Sequence, residues 1–189
     1  MTKKNNLLIA ASGTGGHIFP ALAVSKELEN KWNIHWLGVH QRLDANFIPK
    51  KYNLSTLNIK TPRKNIFLLY QYIEILMSTF KIMRILKEKK INLVFTTGGY
   101  ISAPTIVASK LLRIPVIIHE SNLIPGMVTK YFGFLCNYVL LGFKKTNSYL
   151  KYCKTIFTGT PLREQFYKYN LLPEWVPKGK GPLLIVMGG

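Results

Sequence analysis

An α/β fold is predicted for this chain, a Rossmann-like, doubly wound parallel sheet. Three features of the 189-residue sequence point there. Short runs of Val, Ile and Leu, apolar on both faces, alternate with longer segments of helical periodicity, as strands do when crossover helices cover both sides of their sheet. Glycine turns at 13–16 and 98–99 each follow such a run and open a helix. Apolar residues make up 48% of the chain, enough to bury a sizeable core.

The first strand is read at 7–11, followed by Ser12-Gly13-Thr14-Gly15-Gly16-His17 and a helix over about 20–31, where Leu22, Ala23 and Leu28 recur at helical spacing. A second strand at 34–38 and a short helix at 43–50 lead to a third strand at 54–59 and the basic turn Thr61-Pro62-Arg63-Lys64-Asn65. A long helix covers about 66–89. Strand 93–96 enters the second glycine turn, Thr97-Gly98-Gly99-Tyr100, before a helix at about 103–112. Strand 115–119 enters Glu120-Ser121-Asn122, and a helix starts near Pro125; shorter strands follow at 138–141 and 155–157. Crossovers in parallel sheets are right-handed, so the loops at strand C-termini gather on one edge. The three special loops are therefore expected to line one cleft.

Residues 1–169 are read as one N-terminal, acceptor- and membrane-side domain, and 170–181, rich in Pro, Gly and Lys, as a linker. Residues 182–189 look like the first strand of a second domain, since Leu183-Leu184-Ile185-Val186-Met187 has no neighbouring strand to pair with. The chain accordingly reads as truncated, its C-terminal domain missing.

Lys and Arg number 26 against 8 acids, a net charge of +18. Such an excess speaks to partners and not to fold: nucleic acid, anionic lipid or a phosphorylated substrate. No recognised nucleic-acid-binding motif accompanies the charge, so no nucleic-acid partner is expected. Cys136 and Cys153 form no CxxC pair, which suits a reduced, cytoplasmic setting. The apolar run at 7–11 is too short for a signal peptide or a membrane span.

In Gly13-Thr14-Gly15-Gly16-His17, glycines between a strand and a helix N-terminus let backbone N–H groups approach a phosphate, and the helix dipole favours its charge. The alternative is a tight turn with no ligand. There is no Gly-x-x-x-x-Gly-Lys-Ser/Thr, and Ile18 stands where a dinucleotide fingerprint needs its third glycine. The loop suits a diphosphate; its spacing does not suit NAD or ATP. His17 reads equally as a base for an acceptor hydroxyl and as a loop hydrogen-bonder. Gly98, Gly99 and Tyr100, with Gly13, are candidates to surround a diphosphate from a second side. Glu120 and Asn122 can grip sugar hydroxyls or help orient a base, Glu120 being also a candidate at the acceptor diphosphate, or they can cap the following helix. Arg163, in Thr158-Gly159-Thr160-Pro161-Leu162-Arg163, can neutralise a phosphate or lie solvated on the surface.

The long helix carries two apolar stripes. Ile66, Leu69, Ile73, Leu76, Phe80 and Met83 form one; Leu68, Tyr72, Ile75, Ile82 and Leu86 form the other. One stripe suffices to pack on a sheet, and the second is surplus. Leu68, Tyr72, Ile75 and Ile82, with the cations Lys64, Lys81 and Arg84, are read as contacts with an anionic lipid surface, the helix lying on the membrane and not spanning it. Burial on two sides is the alternative.

Taken together these residues resemble the MurG family over essentially the whole chain, matching about the first half of a family member. The likeness is carried by Gly13-Thr14-Gly15-Gly16-His17-Ile18-Phe19-Pro20-Ala21-Leu22-Ala23, Trp36-Leu37-Gly38, Gly98-Gly99-Tyr100 with Ser102 and Pro104, Ile114-Pro115, His119-Glu120 with Asn122, and Gly159, Pro161 and Arg163. The resemblance implies the N-terminal domain of a GT-B glycosyltransferase, in which two Rossmann-like domains face a cleft. It implies an inverting transfer of N-acetylglucosamine from UDP-N-acetylglucosamine to undecaprenyl-diphospho-N-acetylmuramoyl-pentapeptide (lipid I to lipid II), in peptidoglycan synthesis at the cytoplasmic face of the cell membrane. By matching position, Thr14, Gly15, Gly16, Asn122 and Arg163 are implied in UDP-N-acetylglucosamine binding and His17 as the base. No cofactor and no tightly bound metal are implied. Ser121, Thr160 and the turn at 61–65 depart from the family pattern. Other readings are a different lipid-acceptor GT-B enzyme, and a non-catalytic membrane subunit of a two-chain transferase.

Overall fold

A computed structural model describes residues 4–39, 47–58 and 68–164, with 68–72 described by their backbone alone. Strands β1 (Asn5–Ala10), β2 (Trp32–Val39), β3 (Asn53–Leu57), β4 (Leu93–Thr96), β5 (Val116–Glu120), β6 (Tyr138–Leu141) and β7 (Thr155–Phe157) form one sheet. Helices α1 (Gly15–Leu28), α2 (Leu68–Glu88), α3 (Ser102–Leu111) and α4 (Met127–Phe132) connect them, with short 3₁₀ turns at Gly133–Leu135 and Lys144–Tyr149.

The sheet order is β3-β2-β1-β4-β5-β6-β7, and every neighbouring pair is parallel. All seven strands thus end on one edge, as expected for the special loops. The order reverses between β1 and β4, and a crevice for a ligand opens outside the strand C-termini at such a switch point.

Alternation along β1 explains why the strand is apolar throughout. Leu7 and Ile9 pack with Trp36 and with Ala21 of α1 on one face; Leu8 and Ala10 pack with Leu37, Ile118 and Ile106 of α3 on the other. Each such fully buried Leu or Ile contributes roughly 1.5–3 kcal/mol relative to exposure.

Helix α1 begins at Gly15, inside the glycine turn, several residues before the position expected from apolar periodicity. First-turn amides need no intrahelical partner, so glycine suits the start. Pro20 lies inside the helix and forfeits one backbone bond.

Helix α2 corrects the membrane-stripe assignment. Ile82 and Leu86 are fully buried in the core, Ile75 is half-buried, and buried Thr79 donates to the Ile75 carbonyl at 2.8 Å. The apolar face left to solvent is Ile73, Leu76, Met77 and Phe80, 48%, 56%, 55% and 62% exposed. Both stripes have helical spacing, and the sheet selects one by the rotation of the helix about its axis. Lys81 and Arg84 are exposed as expected, Arg84 pairing with Glu88 at 2.6 Å. Leu68 and Tyr72 lie on the helix, but their side chains are outside the described residues, as are Lys64, the turn at 61–65, the first half of the helix expected at 43–50, the linker and the strand at 182–189. Among the described residues no helix is long and apolar enough to cross a membrane.

Candidate functional site

The glycine turns after β1 and β4 meet at the switch point, and His17 joins them. Its Nδ1 lies 2.6 Å from the Thr97 carbonyl oxygen, and the Thr97 hydroxyl donates back to the His17 carbonyl at 2.8 Å. A carbonyl only accepts, so Nδ1 carries the hydrogen and the lone pair of the neutral ring lies on Nε2. Gly98 and Gly99 adopt φ of +90° and +80°, a region that side chains disfavour. A Cβ on Gly98 would stand 3.3 Å from His17 Cε1, and one on Gly99 would stand 3.4 Å from the Ser12 carbonyl oxygen.

Buried hydroxyls hold this second turn against β1. Thr96 Oγ1 donates to the Ala10 carbonyl at 2.7 Å, and Ser102 Oγ donates to the Gly98 carbonyl at 2.5 Å. At the first turn, the Thr14 side chain makes no capping hydrogen bond to α1. The first amides of the helix, on Gly15 and Gly16, therefore suit an anion. Tyr100 is turned elsewhere: it packs on the core beside α2, its hydroxyl is buried, and its pKa is raised by that burial and by Glu74.

The third loop is organised by one carboxylate. Buried Glu120 accepts from the backbone N–H of Asn122 at 3.0 Å, its side-chain amide at 2.8 Å, the Gly126 N–H at 2.9 Å and the Thr129 hydroxyl at 2.6 Å. Its acceptor capacity is spent inside the loop. Glu120 thereby shapes the third loop. Asn122 is exposed, with its amide tied to Glu120.

His119 reaches a fourth loop, after β7. Its Nε2 lies 2.9 Å from the Gly159 carbonyl oxygen, and the Ser121 hydroxyl lies 3.2 Å from Nδ1. Burial lowers the His119 pKa; the bond to Gly159 and the charge of Glu120 oppose this in part. Gly142 lets the loops close: a Cβ there would lie 2.7 Å from Thr160 Oγ1 and 3.3 Å from the Glu120 carbonyl oxygen. The same loop carries Arg163, whose guanidinium carbon sits 4.2 Å from the Phe19 ring centroid. Phe19 in turn covers Gly15, where a Cβ would meet the ring at 2.7 Å. Next to it, Glu164 pairs with Lys26 of α1.

Gly13, Thr14, Gly15, Gly16, His17, Gly98 and Gly99 are thus brought to one junction, with Arg163 stacked beside it through Phe19. Asn122 lies farther along the same edge, at the end of β5. Sequence reading missed Thr97, Phe19, His119 as a loop clamp, and Gly142. A histidine inside an apolar strand was the available signal for His119; the others depend on contacts between residues distant in sequence. A concavity of about 670 Å³ lies at the opposite edge, beside Asn6, His35 and Lys89, remote from the glycine turns. Among the described residues no three of His, Cys, Asp and Glu converge as a metal site.

Residues 7–141 match the family described as glycosyltransferase family 28 N-terminal domain. Over all 189 residues the chain is 91% identical to a Prochlorococcus marinus (strain MIT 9312) protein named UDP-N-acetylglucosamine–N-acetylmuramyl-(pentapeptide) pyrophosphoryl-undecaprenol N-acetylglucosamine transferase, covering 52% of that protein. The crystal structure of Acinetobacter baumannii MurG superposes with a TM-score of 0.67 at 34% identity, over 76% of this chain and 42% of that one. UDP-N-acetylglucosamine 2-epimerase from Rickettsia bellii, at 15% identity and a TM-score of 0.61 over 82% of this chain and 45% of that one, shares the fold alone. The chain spans about half the length of the curated relatives it matches. It belongs to glycosyltransferase family 28, whose N-terminal domain it carries, and within that family it is similar to the N-terminal half of MurG.

Proposed function

We propose that this chain is the acceptor-side half of an inverting N-acetylglucosaminyltransferase acting from UDP-N-acetylglucosamine onto undecaprenyl-diphospho-N-acetylmuramoyl-pentapeptide. The observation that carries the reading is the interlock of two glycine turns through His17 at the switch point of an all-parallel sheet. The α1 N-terminus receives the acceptor diphosphate through the amides of Gly15 and Gly16. His17 takes the proton of the acceptor hydroxyl as its oxygen bonds to the anomeric carbon. The bond from that carbon to the UDP oxygen breaks, and UDP leaves with the electron pair. Arg163 and Asn122 face the donor side.

The second partner is an anionic lipid surface at the cytoplasmic face of the membrane, held peripherally. Ile73, Leu76, Met77 and Phe80 form the apolar contact, with Lys81, Arg84 and Lys87 exposed beside them. A bilayer that holds the acceptor by its polyprenyl tail thereby presents the diphosphate to the first glycine turn.

Calorimetric titration of the chain with a short-chain diphosphoryl N-acetylmuramoyl-pentapeptide tests this reading. Binding is expected, and Gly16→Asp is expected to abolish it with the fold intact, because an acid at the helix start suits the dipole yet repels a diphosphate. Absence of binding, or binding unaffected by Gly16→Asp, rejects the acceptor site. The 189 residues alone are expected to transfer no sugar, and appreciable turnover with UDP-N-acetylglucosamine would overturn that part.

A further inference from the structure

We infer that the turn after β4 is built to aim His17: the Thr97 carbonyl holds the ring as its Nδ1–H tautomer, so that Nε2 is the atom that takes the acceptor proton. This rests on His17 being the base proposed above, and it names the atom and the groups that present it. Three observations converge. The 2.6 Å contact joins Nδ1 to an oxygen that can only accept. The reciprocal 2.8 Å bond from the Thr97 hydroxyl to the His17 carbonyl ties the backbones together, so neither partner swings away alone. Hypothetical Cβ atoms on Gly98 and Gly99 would stand 3.3 Å from Cε1, 3.6 Å from Nδ1, 3.7 Å from Cδ2 and 3.8 Å from Nε2. Both glycines therefore line the imidazole itself, Gly98 beside Cε1 and Nδ1 and Gly99 beside Cδ2 and Nε2.

The chemistry follows from this placement. When Nε2 gains a proton, the imidazolium's Nδ1–H already points at a carbonyl dipole, which stabilises the new charge. Serine hydrolases use a carboxylate in that position to fix tautomer and orientation; here a backbone oxygen serves. Thr97, Gly98 and Gly99 are positioning residues on this account. The diphosphate is left to the first turn, whose amides open α1.

His119 supplies an internal control. Its Nε2 faces the Gly159 carbonyl and its Nδ1 faces the Ser121 hydroxyl, so it must be the opposite tautomer. Long-range ¹H–¹⁵N correlation spectra of the ¹⁵N-labelled chain at mildly alkaline pH, with His17 assigned through His17→Gln, are expected to show His17 as Nδ1–H and His119 as Nε2–H in one sample. His17 appearing as Nε2–H, or as a mixture like that of free histidine, overturns the inference.

Gly98→Ala is expected to abolish the single His17 tautomer while His119 signals stay unmoved, and an unchanged His17 overturns the role given to the glycine. If that variant does not fold, Thr97→Val deletes the 2.8 Å bond and keeps the carbonyl. A mixed tautomer is then expected, with Thr97→Ser restoring one state, and no change removes the Thr97 hydroxyl from the account. The two readings fail separately. A wrong tautomer overturns only this inference, whereas the right tautomer together with full sugar transfer by His17→Gln, in a chain extended with the remaining half of a Prochlorococcus relative, overturns the base itself.

Discussion

His119 Nε2 stands 2.9 Å from the carbonyl oxygen of Gly159, joining the end of β5 to the loop that carries Arg163. Burial depresses the His119 pKa, so the fold holds the neutral ring while the unfolded chain titrates near the ordinary value of about 6.5. Its contribution to stability is complete above that value and is lost as pH falls toward the folded pKa, because only the unfolded state then binds the proton. The limiting slope is about 1.4 kcal/mol per pH unit. Urea melts between mildly alkaline and mildly acidic pH check this, and His119→Gln should flatten the profile while keeping a donor for Gly159.

Glu120→Gln should destabilise the chain by roughly 2–3 kcal/mol. The carboxylate accepts from four donors in a buried loop, and an amide turns one acceptor into a donor facing an N–H or O–H. Urea unfolding measures the loss. A change within a few tenths of a kcal/mol would mean that the loop does not depend on the charge.

Gly142→Ala should cost about 1–3 kcal/mol, since its Cβ would lie 2.7 Å from Thr160 Oγ1 and 3.3 Å from the Glu120 carbonyl oxygen and Ser121 Cα. Combined with Thr160→Ala, which removes the nearest atom, the double variant should be more stable than the sum of the two single losses predicts. Thermal denaturation of the four proteins gives the coupling directly.

The two faces of α2 should separate in experiment. Leu76→Ser with Phe80→Ser, on the exposed face, should weaken binding to anionic vesicles several-fold and leave the melting temperature nearly unchanged. Ile82→Ala, in the core, should cost about 2–5 kcal/mol. Vesicle sedimentation and thermal melts distinguish them; equal vesicle binding by the exposed-face variant would remove that face from membrane contact.

The seven strands of the described residues, the parallel class of sheet and the glycine turns at strand ends were legible in the sequence, because short apolar runs, period 3.6 and the conformational freedom of glycine are local properties, whereas the start of α1 inside its glycine turn was not. The gathering of the turns on one edge followed from chain handedness. What only the tertiary structure decided were choices between locally equal options. Ile82 and Phe80 sit on stripes of the same spacing, and contact with the sheet buries one and exposes the other. Glu120 organises the third loop because Gly126 and Thr129, six and nine residues on, are folded back onto its carboxylate. His17 can carry its proton on either nitrogen, and a carbonyl 80 residues away selects one. Helix rotation, the pairing of buried polar atoms and the tautomer of a ring all depend on neighbours brought close by folding, and no local pattern encodes them.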